Sequence, residues 1–201
     1  MASFHRMPLG DFTKRHSIED KRFDEVVSVL APATSGPWLV GGAVRRLLTE
    51  EKQSSDFDLG FPSEAALAEC KARLLGLGLK EHVEKPEHVE LHGSIAGKPT
   101  VVQLLRVTYG ATPEAVIDAF DFTICQLAFD GTDLISGPFA LWDLGRKKLA
   151  IHRVTYAAAT VRRMLKYAKQ GYTFCQGTVV SILEEVAKEP GVIHGEVTYV
   201  D

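Results

Sequence analysis

The sequence predicts an α/β (α+β) chain in which strands and helices share residues 1–150 and helices alone occupy residues 151–201. Three observations lead there. In "WLVGGAVRRLL" a short apolar run is stopped by two glycines, and the apolar residues that follow recur at helical spacing. In "SDFDLGF" the residues alternate, with Phe57, Leu59 and Phe61 on one face and Asp56, Asp58 and Gly60 on the other, the pattern of a strand buried on one side. Beyond Tyr156 the alternation disappears, and "YAAATVRRMLKYAKQ" and "TVVSILEEVAKE" both carry the 3.6-residue period.

The elements follow in chain order. "SIEDKRFDEVVSVL" opens with Ser17, has an acid three residues later and places Phe23, Val26, Val27 and Leu30 on one helical face, predicting a helix capped by Ser17. Next comes strand, glycine turn and helix across residues 38–48, then the strand of Asp56 and Asp58. Pro62 and Ser63 end that strand and start a helix over 64–75. Residues 79–108 hold three short β-like pieces broken by Pro86, Gly93 and "AGKP", expected to extend the sheet as antiparallel strands. Thr112 and Pro113 suit an N-cap and first helical residue. "FDFTICQLAF" is predicted as a strand, turned by Asp130 and Gly131 into "TDLISG".

Composition bounds the function. At 201 residues and 45% apolar the chain can bury one substantial core. Twenty-three basic against 26 acidic side chains give a formal charge of −3, so the whole chain has no footprint for sequence-independent nucleic-acid binding, and any polyanion must be met locally. No apolar run approaches the ~20 residues that span a bilayer. The segment "MASFHRMPLGDFTKRH" lacks the apolar centre of a signal peptide, so a cytoplasmic protein without a membrane partner is expected. Cys70, Cys125 and Cys175 lie far apart without metal-ligand spacing, predicting neither a disulfide nor zinc. His82, His88 and His92 read as solvated strand positions, and Trp38 and Trp142 as core or rim aromatics.

Asp56 and Asp58 carry the chemistry. Two aspartates at i and i+2 of a strand project from one face, so both can reach one or two hard cations. Gly41 and Gly42, ahead of a helix, offer backbone that a ligand can approach closely, with N–H groups and a positive dipole end suited to phosphate oxygens. A triphosphate with a divalent metal, Mg²⁺ or Mn²⁺, is the ligand that needs both.

"LVGGAVRRLL" followed by "SDFDLGF" resembles the head-domain signature of the DNA polymerase beta-type nucleotidyltransferase superfamily, in particular the class of CCA-adding enzymes and bacterial poly(A) polymerases. "HGSIAGKPTVVQLLR", "AFDFTICQLAFDGTDLISGPF" and "TVRRMLKYAKQGY" are similar to that class's glycine hairpin, Asp-Phe-Thr-Ile motif and arginine-rich helix, in the same order over residues 38–172. The resemblance implies a mixed sheet flanked by helices, with a head over residues 1–150 and a helical extension over 151–201. It also implies two-metal transfer of a nucleoside monophosphate from an NTP to an acceptor hydroxyl, most simply an RNA 3′ end, with release of pyrophosphate. Asp56, Asp58 and Asp121 become the expected catalytic and metal-binding carboxylates. Gly41, Gly42, Arg45 and Arg163 become the expected nucleotide contacts, and Arg162, Lys166 and Lys169 share the helix of Arg163.

Departures from the class leave other readings open. The strand that carries a third metal-binding acid in many members is "TVVQLLRV" here, with Gln103 its only polar candidate; Asp121 is the best substitute, then Glu90, with Asp118 behind it. The two arginines that precede the Asp-Phe-Thr-Ile motif in CCA-adding enzymes are Ala119 and Phe120, and their Glu-Asp-x-x-Arg element falls on "YAAAT", so that template for choosing CTP or ATP is missing. Transfer to a protein or small molecule, or a degenerate nucleotide-binding module, are the alternatives.

Overall fold

A computed structural model describes residues 3–188 except 19, 50, 54, 55, 107 and 108. Eight strands form one mixed sheet. They are β1 (His5–Pro8), β2 (Trp38–Val40), β3 (Asp56–Gly60), β4 (Lys80–Glu84), β5 (His88–Ile95), β6 (Lys98–Leu105), β7 (Leu127–Phe129) and β8 (Asp133–Ser136), in the order β1-β8-β7-β2-β3-β6-β5-β4. Eight described helices accompany them: α1 (Leu9–His16), α2 (Lys21–Leu30), α3 (Gly42–Leu48), α4 (Glu64–Gly76), α5 (Pro113–Asp118), α6 (Ala140–Gly145), α7 (Ala157–Lys169) and α8 (Gln176–Lys188).

The alternation read in β3 decides the layers. Phe57 and Leu59 point into the main core, where Leu39, Leu91, Val102 and Leu104 from neighbouring strands meet Phe23, Val26 and Leu30 of α2 and Val44 and Leu47 of α3. The opposite face is divided. Over β2, β7 and β8 it is apolar, and Trp38, Val40, Ala128 and Ile135 are covered by Val116 and Ile117 of α5. This helix lies so close that a Cβ on Gly60 would meet Val116 Cγ1 at 2.8 Å. Over β3, β6 and β5 the same face presents Asp56, Asp58, Gln103, Glu90 and His92, and is polar.

Several boundaries differ from expectation. Ser17 does not cap α2; it ends α1 in a left-handed conformation (φ 52°), and Asp20 caps α2 by accepting from the N–H groups of Arg22 and Phe23. A carboxylate here can take two first-turn donors at once. The strand β1 and helix α1 were unforeseen: β1 gains its stability by pairing antiparallel with β8 across the chain, an arrangement no local pattern encodes. Gly93 does not interrupt β5, since its missing side chain makes room for Leu79, whose Cγ would lie 2.9 Å from a Cβ there. The sheet extension is only partly antiparallel, because β6 runs parallel to β3 while β5 and β4 add antiparallel strands beyond it; the end of the predicted segment, 107–108, lies outside the described residues. In "FDFTICQLAF" only Leu127–Phe129 is strand. Thr123–Cys125 form a 3-10 turn, held by Thr123 N–H donating to Ala150 O at 3.0 Å. Ser63 and Thr112 do cap α4 and α5, with Pro113 in the first turn as read.

The closing helices are joined to the sheet by an aromatic and polar seam. Tyr167 packs edge-on against Phe122 and Tyr172, and its Oη lies 3.1 Å from Cys125 Sγ. Burial pushes the Cys125 thiol up to about 11, keeping it protonated and inert in the core. Cys70 is also buried, while Cys175 is exposed. Trp38 is a core residue and Trp142, 65% exposed, a rim residue stacked under Arg146. No described helix is long and apolar enough to cross a membrane.

Candidate nucleotide and metal site

The site is built where β2 ends. Gly41 leaves the strand with φ 64°, a conformation that a Cβ disfavours, and its N–H is fixed by Leu127 O at 2.8 Å. The turn lies directly against the acids: a Cβ on Gly41 would lie 3.8 Å from Asp58 Oδ2 and 3.4 Å from the Phe120 ring. Val40, Asp58 and Gln103 are cross-strand neighbours on one face, so the end of β2, the acid of β3 and the amide of β6 form a single row.

Asp56 is exposed and Asp58 half-buried. Burial pushes the Asp58 carboxyl up to about 6, and the like charge of Asp56 adds to the rise, while Arg46, Lys166 and Arg163 pull against it. An acid held so far above its usual range is one that a cation would return to the carboxylate form. The donor set therefore fits a hard divalent ion: two carboxylates two residues apart on a strand, with desolvation opposing their joint ionisation in its absence.

Basic groups approach from two directions. Arg46 of α3 donates from Nη2 to Asp56 O at 2.5 Å and from Nε to Gln53 Oε1 at 3.2 Å. Its Nη1 is 3.3 Å from where a Gly42 Cβ would be. From α7, Arg163 and Lys166 are close enough to lower the pKa of Asp58.

The structure places the other expected residues as follows. Arg45 is buried, 3% exposed, and turned to the aromatic seam. Its Nη1 donates to Glu51 Oε2 at 3.0 Å and Tyr172 Oη at 3.2 Å, and its guanidinium stacks on the rings of Tyr167 and Tyr172 at 5.3 and 5.7 Å. Asp121 is buried with both oxygens engaged. Oδ2 accepts from Arg163 Nε at 2.7 Å and Thr160 Oγ1 at 3.0 Å, and Oδ1 accepts from Phe122 N–H at 3.1 Å. Asp118 is placed elsewhere, bonded to His152 and Arg153. Glu90 stands next to Gln103 in the acid row, one strand further out. Arg46 and Thr160 are the site residues that the sequence reading missed. Adjacent helical residues point about 100° apart, so "RR" at 45–46 contains one arginine for the seam and one for the acids, with no local mark of which.

The fold is similar to those of several solved proteins. A CCA-adding enzyme in complex with CTP is 17% identical with a TM-score of 0.65, over 94% of this chain and 48% of that one. The Thermotoga maritima CCA-adding enzyme complexed with tRNA-CCA is 16% identical with a TM-score of 0.60, over 91% and 46%. A tRNA nucleotidyltransferase complexed with a primer tRNA and an incoming ATP analogue is 20% identical with a TM-score of 0.52, over 83% and 50%. The chain thus has the head fold of these proteins and spans about half their length. No curated protein matches it significantly in sequence. A family model does match, over residues 9–147, a segment running from α1 through β8 and α6 and containing Gly41, Asp56, Asp58 and Asp121. The chain is a member of the Gabija anti-defense 2 protein family.

Proposed function

We propose that this protein is a metal-dependent nucleotidyltransferase that moves a nucleoside monophosphate from an NTP to an acceptor hydroxyl, releasing pyrophosphate. The observation that carries the reading is the placement of Asp56 and Asp58 on the open face of β3, against the Gly41 turn and under the cations of α3 and α7. Asp56 and Asp58 would hold Mg²⁺ or Mn²⁺, which when bound supplies charge neutralisation at the phosphates and acidifies the attacking hydroxyl. Gly41 and Gly42 leave room for the triphosphate beside those acids, and Arg163 and Lys166 provide positive charge over it. Arg46 holds β3 to α3 and so fixes the distance between turn and acids. Asp121 acts by orienting Arg163, since its oxygens are already engaged by Arg163, Thr160 and the Phe122 N–H. Arg45 supports the turn from behind through its bonds to Glu51 and Tyr172.

The solved structures of like fold include complexes with CTP, with ATP and with tRNA, which supports an NTP as donor and an RNA 3′ end as acceptor. A second reading, nucleotidylylation of a protein, is favoured by the family's description as anti-defence, an activity for which a component of the opposed system is a natural acceptor. Degeneration to a nucleotide-binding module is the reading suggested by Gln103 in the acid row. Incubation with each α-labelled NTP, Mg²⁺, and either cellular RNA or lysate distinguishes the three. Label in RNA supports the first, label in a protein band the second, and NTP binding with no pyrophosphate release the third.

A further inference from the structure

Outside the aspartate site, one cluster among the described residues brings metal-ligating side chains together: His82, Glu90 and His92, whose ligand atoms all lie within 4.8 Å of one another. Two of them follow from strand geometry, because Glu90 and His92 are at i and i+2 of β5 and share a face. The third depends on an irregularity. Glu81 is opposite Leu91 and Val83 is opposite Glu90, so β4 carries one extra residue, His82, in a bulge. A bulge sets two residues against one on the partner strand and re-aims a side chain. Here it lays the His82 ring on the His92 ring, centroids 4.1 Å apart and 19° from parallel.

The two oxygens of Glu90 have different neighbours. Oε1 is 2.5 Å from His92 Nε2 and faces the histidine pair. Oε2 accepts from Gln103 Nε2 at 3.4 Å and has His88 Nε2 at 3.9 Å. One oxygen is thus held by Gln103 while the other meets His92, with a ligand atom of His82 within 4.8 Å, and Gln103 stands where an outer residue orients a ligating carboxylate. A metal held at about 2.0–2.2 Å by Nε2 and Oε1 would replace this contact and move the two atoms apart.

We infer that His82, Glu90 and His92 bind a divalent transition-metal ion of the zinc class, with a coordination position left for water or a ligand oxygen. Two imidazoles and a carboxylate are a donor set that zinc accepts and that magnesium, which prefers oxygen and retains water, does not. The site is separate from the acids of β3. Asp58, Gln103 and Glu90 occupy successive strands in one row, so Glu90 lies about 10 Å from Asp58 at ~4.8 Å per strand. Two metals acting on one phosphate need to be about 4 Å apart. The metal fastens the β4–β5 hairpin at the sheet edge and adds positive charge to the face that carries Asp56 and Asp58. This inference goes beyond the nucleotidyl-transfer reading and does not depend on it.

The test is titration of the full chain with Zn²⁺ against a chromophoric chelator, without nucleotide, repeated with Co²⁺ for its visible spectrum. The expected result is one tight equivalent with a low-symmetry cobalt spectrum. Glu90→Gln and His82→Ala should each weaken binding by at least about tenfold, since even outer-sphere losses cost that much. Asp58→Asn should leave it unchanged. Glu90→Gln conserves shape, and circular dichroism of each variant verifies folding. Equal Zn²⁺ affinity in the wild type and in folded Glu90→Gln, or loss of the site in Asp58→Asn, would overturn the assignment.

Discussion

Arg163 of α7 donates from Nε and Nη2 to one oxygen of Asp121, both at 2.7 Å, and thereby ties the closing helices to the edge of the candidate site. Asp121→Asn retains the shape but loses the charge and one acceptor, so we expect a stability loss of about 1–3 kcal/mol, moderated by the exposure of Arg163. Transfer rate should fall with it, and Arg163→Lys, which keeps the charge and loses the two-point contact to Asp121, should retain part of the wild-type rate. Thermal melting and a kinetic series with ATP and dATP check this. A change confined to the ATP-to-dATP ratio would instead assign Asp121 to the ribose.

Asp58→Asn should abolish pyrophosphate release yet stabilise the metal-free fold at neutral pH. The sign follows from the pKa. The folded-state value is raised to about 6 from the usual 3.8, so the native state binds the extra proton and the carboxylate costs stability as pH rises through that interval. The gain on substitution is on the order of 3 kcal/mol at pH 7 and vanishes below about pH 4. Melting curves of the wild type and variant across pH, without divalent ions, measure it.

Metal affinity should share this titration. Mg²⁺ competes with the proton on Asp58, so its apparent affinity in the presence of ATP should rise between about pH 5 and 7 and level off above. Calorimetry in buffers of different ionisation enthalpy should register proton release on binding near pH 6 and little at pH 8. Nucleotide binding indifferent to EDTA throughout would contradict a metal-completed site.

Gly41→Ala puts a Cβ at φ 64°, 3.4 Å from the Phe120 ring. With φ 64° and ψ −119° the position lies outside the left-handed helical well, in a region occupied almost only by glycine, and a side chain there costs about 1–3 kcal/mol. Because that Cβ would also face Asp58, NTP affinity should drop by more than the stability loss predicts. Equilibrium unfolding combined with nucleotide titration separates the two.

Arg45 and Arg46 should differ in kind. Arg45→Lys breaks the contacts to Glu51, Tyr167 and Tyr172 and should lower the melting temperature, with little change in the KM for NTP. Arg46→Lys loses the donor to Asp56 O and the charge distribution beside Asp58, and should lower kcat/KM. Similar kinetic losses in both variants would show that Arg45 reaches the phosphate after all.

The sequence by itself determined the parts whose physics is local. Alternation in "SDFDLGF" fixes which side of β3 is buried, and hence that Asp56 and Asp58 share the open face; Thr112-Pro113 and Ser63 mark helix starts because capping satisfies nearby N–H groups. Tertiary structure decided everything that depends on residues distant in the chain. It sent Arg45 to Tyr172 and Arg46 to Asp56, although neighbouring helical positions carry the same side chain. It engaged Asp121 with α7, 39 and 42 residues away, a pairing that the motif around it does not encode. It recruited β1 to β8 across more than a hundred residues. It also assembled His82, Glu90 and His92, whose linear spacing reads as solvated strand positions, because a bulge shifts side-chain direction by one residue and no single-strand pattern records where the partner strand's register slips.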